Sequence, residues 1–147
     1  KLYLQADSSL PASVISLNEK YKHAKDKYIH ELQYLNGYFQ AKKIPLLLLI
    51  IPHCAQVKAH YANHFKEMGA VINEQYYMGS SDYPFFTLLK KEVQSNSMAV
   101  TANPLEKFRM CDTTSYRLYF ENDIHLTANG QSELAKYLVP LLKERLN

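Results

Sequence analysis

The chain has 147 residues, of which 47% are hydrophobic and 21% are charged. This length is typical of one domain, and this hydrophobic content excludes an intrinsically disordered chain. The 17 basic and 14 acidic residues give a net charge of +3 and are spread along the sequence, so no basic block marks a nucleic-acid-binding protein.

The longest apolar run and the start of the chain show whether the sequence contains a membrane-spanning segment or a signal peptide. Residues 44–52, reading IPLLLLIIP, are too few to span a bilayer, and no signal-peptide pattern opens the chain. Because the chain begins at Lys1 and not at a methionine, we expect a fragment or a mature product of a longer protein. The sequence predicts one domain over residues 1–147, without a membrane span.

Strand and helix patterns alternate through the first half. Residues 1–5 read as a strand, 6–11 as a loop, and 18–43 as a helix with an apolar stripe. Residues 44–51 lack polar alternation and predict a central strand covered on both faces. Residues 56–68 predict a helix that ends at Gly69, and 70–72 a short strand. The stripe on the first helix comprises Tyr21, Ala24, Tyr28, Leu32, Leu35 and Phe39.

The second half continues the alternation. Residues 76–83 read as a loop, and Pro84 begins a helix that runs to about Gln94. Residues 98–101 and 116–120 are strand candidates, and 103–117 reads mostly as loop, with room for one helical turn. Residues 127–146 predict an amphipathic helix capped by Thr127. Its apolar side comprises Leu134, Tyr137, Leu138, Leu141 and Leu142.

Alternating helices and apolar strands predict a three-layer α/β sandwich of flavodoxin-like architecture, with a mostly parallel sheet of four or five strands. In such folds ligands bind at the carboxyl ends of the strands, so we expect the loops at 7–11, 53–56 and 122–129 to meet at one edge. A flavodoxin-like regulatory domain needs a phosphate-cradling loop, and none is apparent among the four glycines.

Asp123 and His125 lie in a loop between a strand candidate and the capped helix. Acyl transfer through a serine requires a histidine as general base and acid, and a carboxylate that fixes its tautomer. An Asp-x-His pair can supply both groups. The alternative is structural: Asp123 caps the turn, and His125 is a hydrogen-bonded histidine.

The run from Asp123 to Thr127, together with four positions of the predicted helix that follows it, resembles the last block of the SGNH (GDSL-like) hydrolase superfamily. That block supplies the Asp and His of a catalytic triad. The positions in the helix are Gly130, Leu134, Ala135 and Leu138. Residues 44–61 more loosely resemble the strand and turn of SGNH-like O-acetyltransferase domains that modify bacterial exopolysaccharides, which share the Asp-x-His spacing.

The resemblance implies an SGNH-like fold and a Ser-His-Asp mechanism acting on an acylated carbohydrate, an envelope polymer or a small ester. It implies no metal and no organic cofactor, and by analogy a location outside the cytoplasm. The alternative is a non-catalytic SGNH-like module that binds a glycan or a partner protein.

The family's Gly-Asp-Ser block does not occur in the chain, and its nearest counterpart is Ala6, Asp7 and Ser8. Ser8 is therefore the candidate nucleophile; otherwise the nucleophile lies outside these residues or the domain is inactive. Asn103 and Asn36 are the nominees for the oxyanion-hole asparagine.

The cysteines, one histidine pair and the tyrosines each allow a functional and a structural interpretation. Cys54 and Cys111 either pair in an oxidising compartment or remain unpaired thiols. His60 and His64, four residues apart on a predicted helix, are either a pair of metal ligands or part of a solvated helix face. We favour the solvated face because no third ligand is apparent. The twelve tyrosines suggest a sugar-stacking surface, although core packing explains most of them.

Overall fold

The computed structural model describes residues 7–9, 15, 19–73 and 79–146. A short 3₁₀ turn, Glu19–Tyr21, leads into the first α-helix. The α-helices of the described residues are α1 (Lys22–Ala41), α2 (Cys54–Val57), α3 (Ala59–Glu67), α4 (Pro84–Val93), α5 (Leu105–Cys111) and α6 (Ala128–Leu146). The strands are β1 (Leu46–Leu49) and β2 (Ala99–Ala102). The predicted strand at residues 1–5 lies outside the described residues.

The two strands pair in parallel, with Leu46 opposite Ala99 and Leu49 opposite Ala102. This confirms a mixed α/β fold with parallel strands, and places β2 one residue later than predicted. The larger prediction is not met: the described residues form a two-stranded sheet, with no three-layer sandwich. All four residues of β1 are partly exposed, so the expectation that this strand is covered on both faces was wrong.

Helix α1 packs through a face that coincides with the predicted stripe only in part, and Leu32 belongs to both. Leu32 is buried against Leu89 and Val93 of α4, whereas Tyr28 and Leu35 of the predicted stripe are 44% and 48% exposed. The packed face continues through the buried Asn36, a residue that a search for apolar spacing passes over. Hydrogen bonding satisfies this amide in the interface, as described below.

The main core lies between α2, α3, α4, α5 and the segment that follows α5. Its largest fully buried side chains include Tyr61, Phe65, Phe108, Leu118 and Tyr119. Tyr83 is also buried, whereas Tyr34 and Tyr38 are largely exposed. Core packing therefore accounts for some tyrosines and not for others.

Several predicted boundaries change. The helix expected at 56–68 is two helices, because Lys58 between them has extended backbone angles, and Gly69 follows with φ +98°. Residues 70–72 form no strand. Residues 105–111 form the two-turn helix α5 where mostly loop was expected, and 116–120 contributes only single bridges to Thr113 and Leu126.

Helix α6 begins as predicted. The Thr127 hydroxyl accepts a hydrogen bond from the Gly130 amide at 3.2 Å, as an N-cap residue should. Leu134 packs on the main core, and Leu142 at the far end is 41% exposed. Within the described part of the chain, no helix has the length and apolar character needed to cross a bilayer.

Candidate active-site loop

The loop that carries Asp123 and His125 is closed at its base by a short antiparallel pairing. Tyr119 bridges Leu126, the Phe120 amide donates to the His125 carbonyl at 3.3 Å, and the Thr127 amide donates to the Leu118 carbonyl at 2.9 Å. These bonds fix both ends of the loop. The pair is therefore presented at the tip of a tight turn just before α6.

Within this turn, Asp123 and His125 bond to each other twice. The Asp123 Oδ1 atom lies 2.5 Å from the Nδ1 atom of His125 and also accepts the His125 backbone amide at 3.1 Å. Both side chains are accessible, with exposed fractions of 49% for Asp123 and 76% for His125. The expected carboxylate-imidazole contact is present, and the imidazole faces open solvent.

The electrostatics of the pair determine which atom carries the proton. Partial desolvation acts to raise the pKa of Asp123, but the hydrogen bonds from the side chain and amide of His125 outweigh it and hold that pKa below its usual value. Because an ionised carboxylate only accepts hydrogen bonds, Nδ1 must donate. In the neutral imidazole, Nε2 then keeps its lone pair for a substrate or a hydroxyl group.

The antiparallel pairing at the base of the loop is hydrogen-bonded to the segment that follows β1. The Tyr119 hydroxyl donates to the Pro52 carbonyl at 2.5 Å, and burial is the main cause that raises the pKa of this phenol. Burial, joined by the nearby charge of Asp123, raises the pKa of the Cys54 thiol to about 12. Two of the three loops expected to meet, 53–56 and 122–129, therefore lie near one another.

Ser8 lies in a different local setting. Its carbonyl accepts the Val71 amide at 2.9 Å, which places it beside the segment after Gly69. The neighbouring Asp7 carboxylate accepts from the Ser9 hydroxyl at 2.7 Å and from Lys20 at 2.7 Å. Within the described residues no hydrogen bond joins Ser8 to His125. The structure brings Asp123 and His125 together and does not join the candidate nucleophile to them.

The two asparagine nominees have separate surroundings. Asn103 directly follows β2, where its side chain donates to the Ser81 carbonyl at 3.1 Å and accepts the Leu105 amide at 3.1 Å. Asn36 lies in the interface of α1, where its Oδ1 atom accepts from Asn96 at 2.8 Å. Asn103 thus lies at a strand end, where an active-site group belongs in a parallel α/β fold, whereas Asn36 has a structural role.

The two cysteines are not joined by a disulfide in the structure. Cys54 is buried and Cys111 is partly buried, and both are free thiols.

The ring centroids of His60 and His64 are 6.1 Å apart, but the Arg117 guanidinium contacts His60, and His64 lies 3.3 Å from the Glu121 carbonyl. No group of three potential metal ligands occurs in the described ranges. Both rings are partly buried and contact these neighbouring groups.

A polar pocket that was not predicted from the sequence lies beside the antiparallel pairing at the base of the loop. Its lining residues are Lys58, His60, Asp112, Thr113, Thr114 and Arg117. The buried Asp112 accepts the Tyr61 hydroxyl and the Leu118 amide, both at 2.9 Å on Oδ2. The run CDTTSYR is a polar break between apolar stretches, which was the available signal.

Comparison of the chain with protein-family models, with curated proteins and with solved structures gives no match. The assignment of a function therefore depends on the residues and their geometry.

Proposed function

We propose that the chain is an SGNH-type domain that cleaves or transfers an acyl group, with His125 as general base and acid and Asp123 as its orienting carboxylate. The observation that carries the proposal is the 2.5 Å contact between Asp123 Oδ1 and His125 Nδ1, which leaves Nε2 open to solvent. A carboxylate on one imidazole nitrogen and a free second nitrogen is the arrangement that acyl transfer through serine requires.

In the proposed reaction, Nε2 of His125 takes the proton of a serine hydroxyl as the serine oxygen attacks the ester carbonyl. The protonated imidazole then gives that proton to the departing alcohol, which leaves an acyl-serine. Water or a second hydroxyl accepts the acyl group in the reverse sequence of proton transfers. Asp123 stabilises the imidazolium in both steps and does not itself take the proton.

Ser8 is the proposed nucleophile within the chain, with a serine outside it as the alternative. Ser8 follows an aspartate, as the family nucleophile does. We also propose an SGNH-like three-layer fold for the complete domain, an acylated carbohydrate or envelope polymer as its substrate, and a location outside the cytoplasm, all from the resemblance of the terminal block.

Labelling with a serine-directed fluorophosphonate, followed by peptide mass spectrometry, tests the mechanism and the nucleophile together. We expect a covalent adduct on Ser8 that is lost in both Ser8→Ala and His125→Ala, while Ser132→Ala, a control at another serine, keeps it. Adduct formation that persists in His125→Ala would contradict the mechanism. A wild-type chain that forms no adduct would overturn the Ser8 assignment and leave two alternatives, a serine outside the chain or the non-catalytic binding module.

A further inference from the structure

We propose that the pocket between α3 and the segment after α5 binds an oxyanion carried by a hydroxylated molecule, such as an acidic or phosphorylated sugar. Its six lining residues combine two permanent cations with a buried carboxylate that has one free acceptor atom. This inference is independent of the proposed hydrolysis, because it concerns binding at different side chains.

The pocket carries an unbalanced positive charge. Arg117 lies 3.8 Å from the buried Asp112 carboxylate, so these two charges offset each other. Lys58 also lines the pocket, and its ammonium group forms no ion pair within the described part of the chain. The pocket is therefore left with a net positive charge, which favours an anion.

Arg117 is placed to use its remaining donors. One nitrogen, Nη1, contacts the His60 ring, and the guanidinium carbon lies 5.8 Å from the centre of the Tyr61 ring. A cation–π contact of this kind restrains the guanidinium group, and a restrained guanidinium can bind phosphate or carboxylate through two hydrogen bonds. The side chain is 38% exposed, which leaves a path for a ligand.

Asp112 contributes a buried acceptor atom without a hydrogen-bond donor. Its side chain has no exposed surface, and its Oδ1 atom accepts no hydrogen bond in the structure as described, whereas Oδ2 accepts two. A buried acceptor without a donor is costly. Asp112 lines the pocket, so this unsatisfied acceptor favours a ligand that carries hydroxyl donors beside its oxyanion.

His60 and the two threonines add neutral groups. Partial burial and the Arg117 charge lower the pKa of His60, so its ring is a neutral group that lines the pocket and contacts Arg117. Thr113 and Thr114 are exposed at the rim and supply hydroxyl groups. Cations for the charge and hydroxyl groups for the skeleton together match a sugar acid or sugar phosphate.

Isothermal titration calorimetry of the wild-type chain with four probes tests the inference. The probes are D-glucuronate, D-glucose 6-phosphate, neutral D-glucose and inorganic phosphate. We expect at least one of the two charged sugars to bind with a Kd of about 1 mM or below, and to bind more tightly than glucose and than phosphate. Failure of both charged sugars to bind, or inorganic phosphate binding as tightly as they do, would overturn it.

Charge-removal variants locate the site. Lys58→Gln should weaken binding of the charged sugar about tenfold, because it removes the uncompensated cation without touching a structural bond. Lys143→Gln, which removes an exposed lysine on α6, is the matched control and should bind as the wild type does. Equal weakening in the two variants would show a general charge effect and contradict the proposed site.

Discussion

Gly130, in the first turn of α6, lies so close to the backbone of Leu118 that a Cβ atom at this position would overlap the Leu118 carbonyl oxygen. That same carbonyl accepts the Thr127 amide at 2.9 Å. The start of α6 therefore packs directly against the antiparallel pairing that closes the His125 loop. This contact fixes where the loop is presented, and it requires glycine.

Replacement of Gly130 by alanine should consequently destabilise the chain. The added methyl group meets backbone atoms and the side chain of Leu126, so the helix start must shift. We expect a loss of about 1–3 kcal/mol in the free energy of unfolding, measured by urea denaturation. Gly37→Ala is the control, because a Cβ atom there meets nothing within 4 Å, and alanine in a helix should add about 0.5–1 kcal/mol. Equal effects of the two substitutions would contradict this account.

The bond between Tyr61 and Asp112 should contribute measurably to stability. The Tyr61 hydroxyl donates to the buried Asp112 carboxylate at 2.9 Å, and the Tyr119 amide lies 3.4 Å from the same hydroxyl oxygen. Tyr61→Phe should cost about 1.5–3 kcal/mol, the range for hydrogen bonds to charged groups. Tyr34→Phe, at a residue 69% exposed, should change stability by less than about 0.5 kcal/mol. Thermal unfolding of the two variants compares them, and indistinguishable melting temperatures would refute the assignment.

His53 should make the stability depend on pH. It begins α2, where its Nδ1 atom accepts the Ala55 amide at 3.2 Å, and burial lowers its pKa from 6.5 to about 4. The unfolded chain therefore takes up this proton before the folded chain does. The contribution of neutral His53 to stability is complete above about pH 6.5 and is lost as the pH falls towards about 4.

The variant His53→Asn isolates this effect, because asparagine can cap the helix but does not titrate. Between about pH 7 and about pH 4.5, we expect the urea midpoint of the wild type to fall further than that of the variant. Carboxylates titrate in both proteins, so the informative quantity is the difference between the two proteins in how steeply the urea midpoint falls with pH. Identical slopes would show that His53 does not control acid sensitivity.

Asp123 should affect activity far more than stability, since its partner His125 is largely exposed. Asp123→Asn keeps the shape of the side chain but removes the charge that stabilises the imidazolium. We expect kcat for a small ester to fall on the order of 10²-fold with little change in melting temperature. Asp26→Asn, at another exposed aspartate, should leave kcat unchanged. A similar kcat in both variants would argue against an orienting role for Asp123.

Local signals in the sequence were sufficient for some elements. Pro84 marked the start of α4, and Thr127 marked the cap of α6, because both act through their own backbone neighbours. Asp123 and His125 were also found this way, since a contact between residues two apart needs only a turn. The α5 helix was predicted only as room for one helical turn, although the Asn103 side chain accepts the Leu105 amide at its start and Leu105 and Phe108 have helical spacing.

Features that depend on distant contacts were not predictable from spacing. Asn36 belongs to the packed face of α1 only because Asn96, far along the chain, satisfies its amide. Asp112 is buried and bonded through Tyr61, a residue on α3. Polar residues in such positions read as surface residues in a sequence, so the pocket beside Asp112 became visible only once the chain was folded.

The most direct test of the central claim is the rate of para-nitrophenyl acetate hydrolysis by the wild type, His125→Ala and His30→Ala. Free imidazoles also hydrolyse this ester, and His30→Ala, which removes an exposed histidine on α1, controls for that background. We predict a loss of about 10²-fold or more in His125→Ala, with the wild-type rate retained in His30→Ala. A His125→Ala variant that hydrolyses the ester at the wild-type rate would contradict the assignment of His125 as the general base.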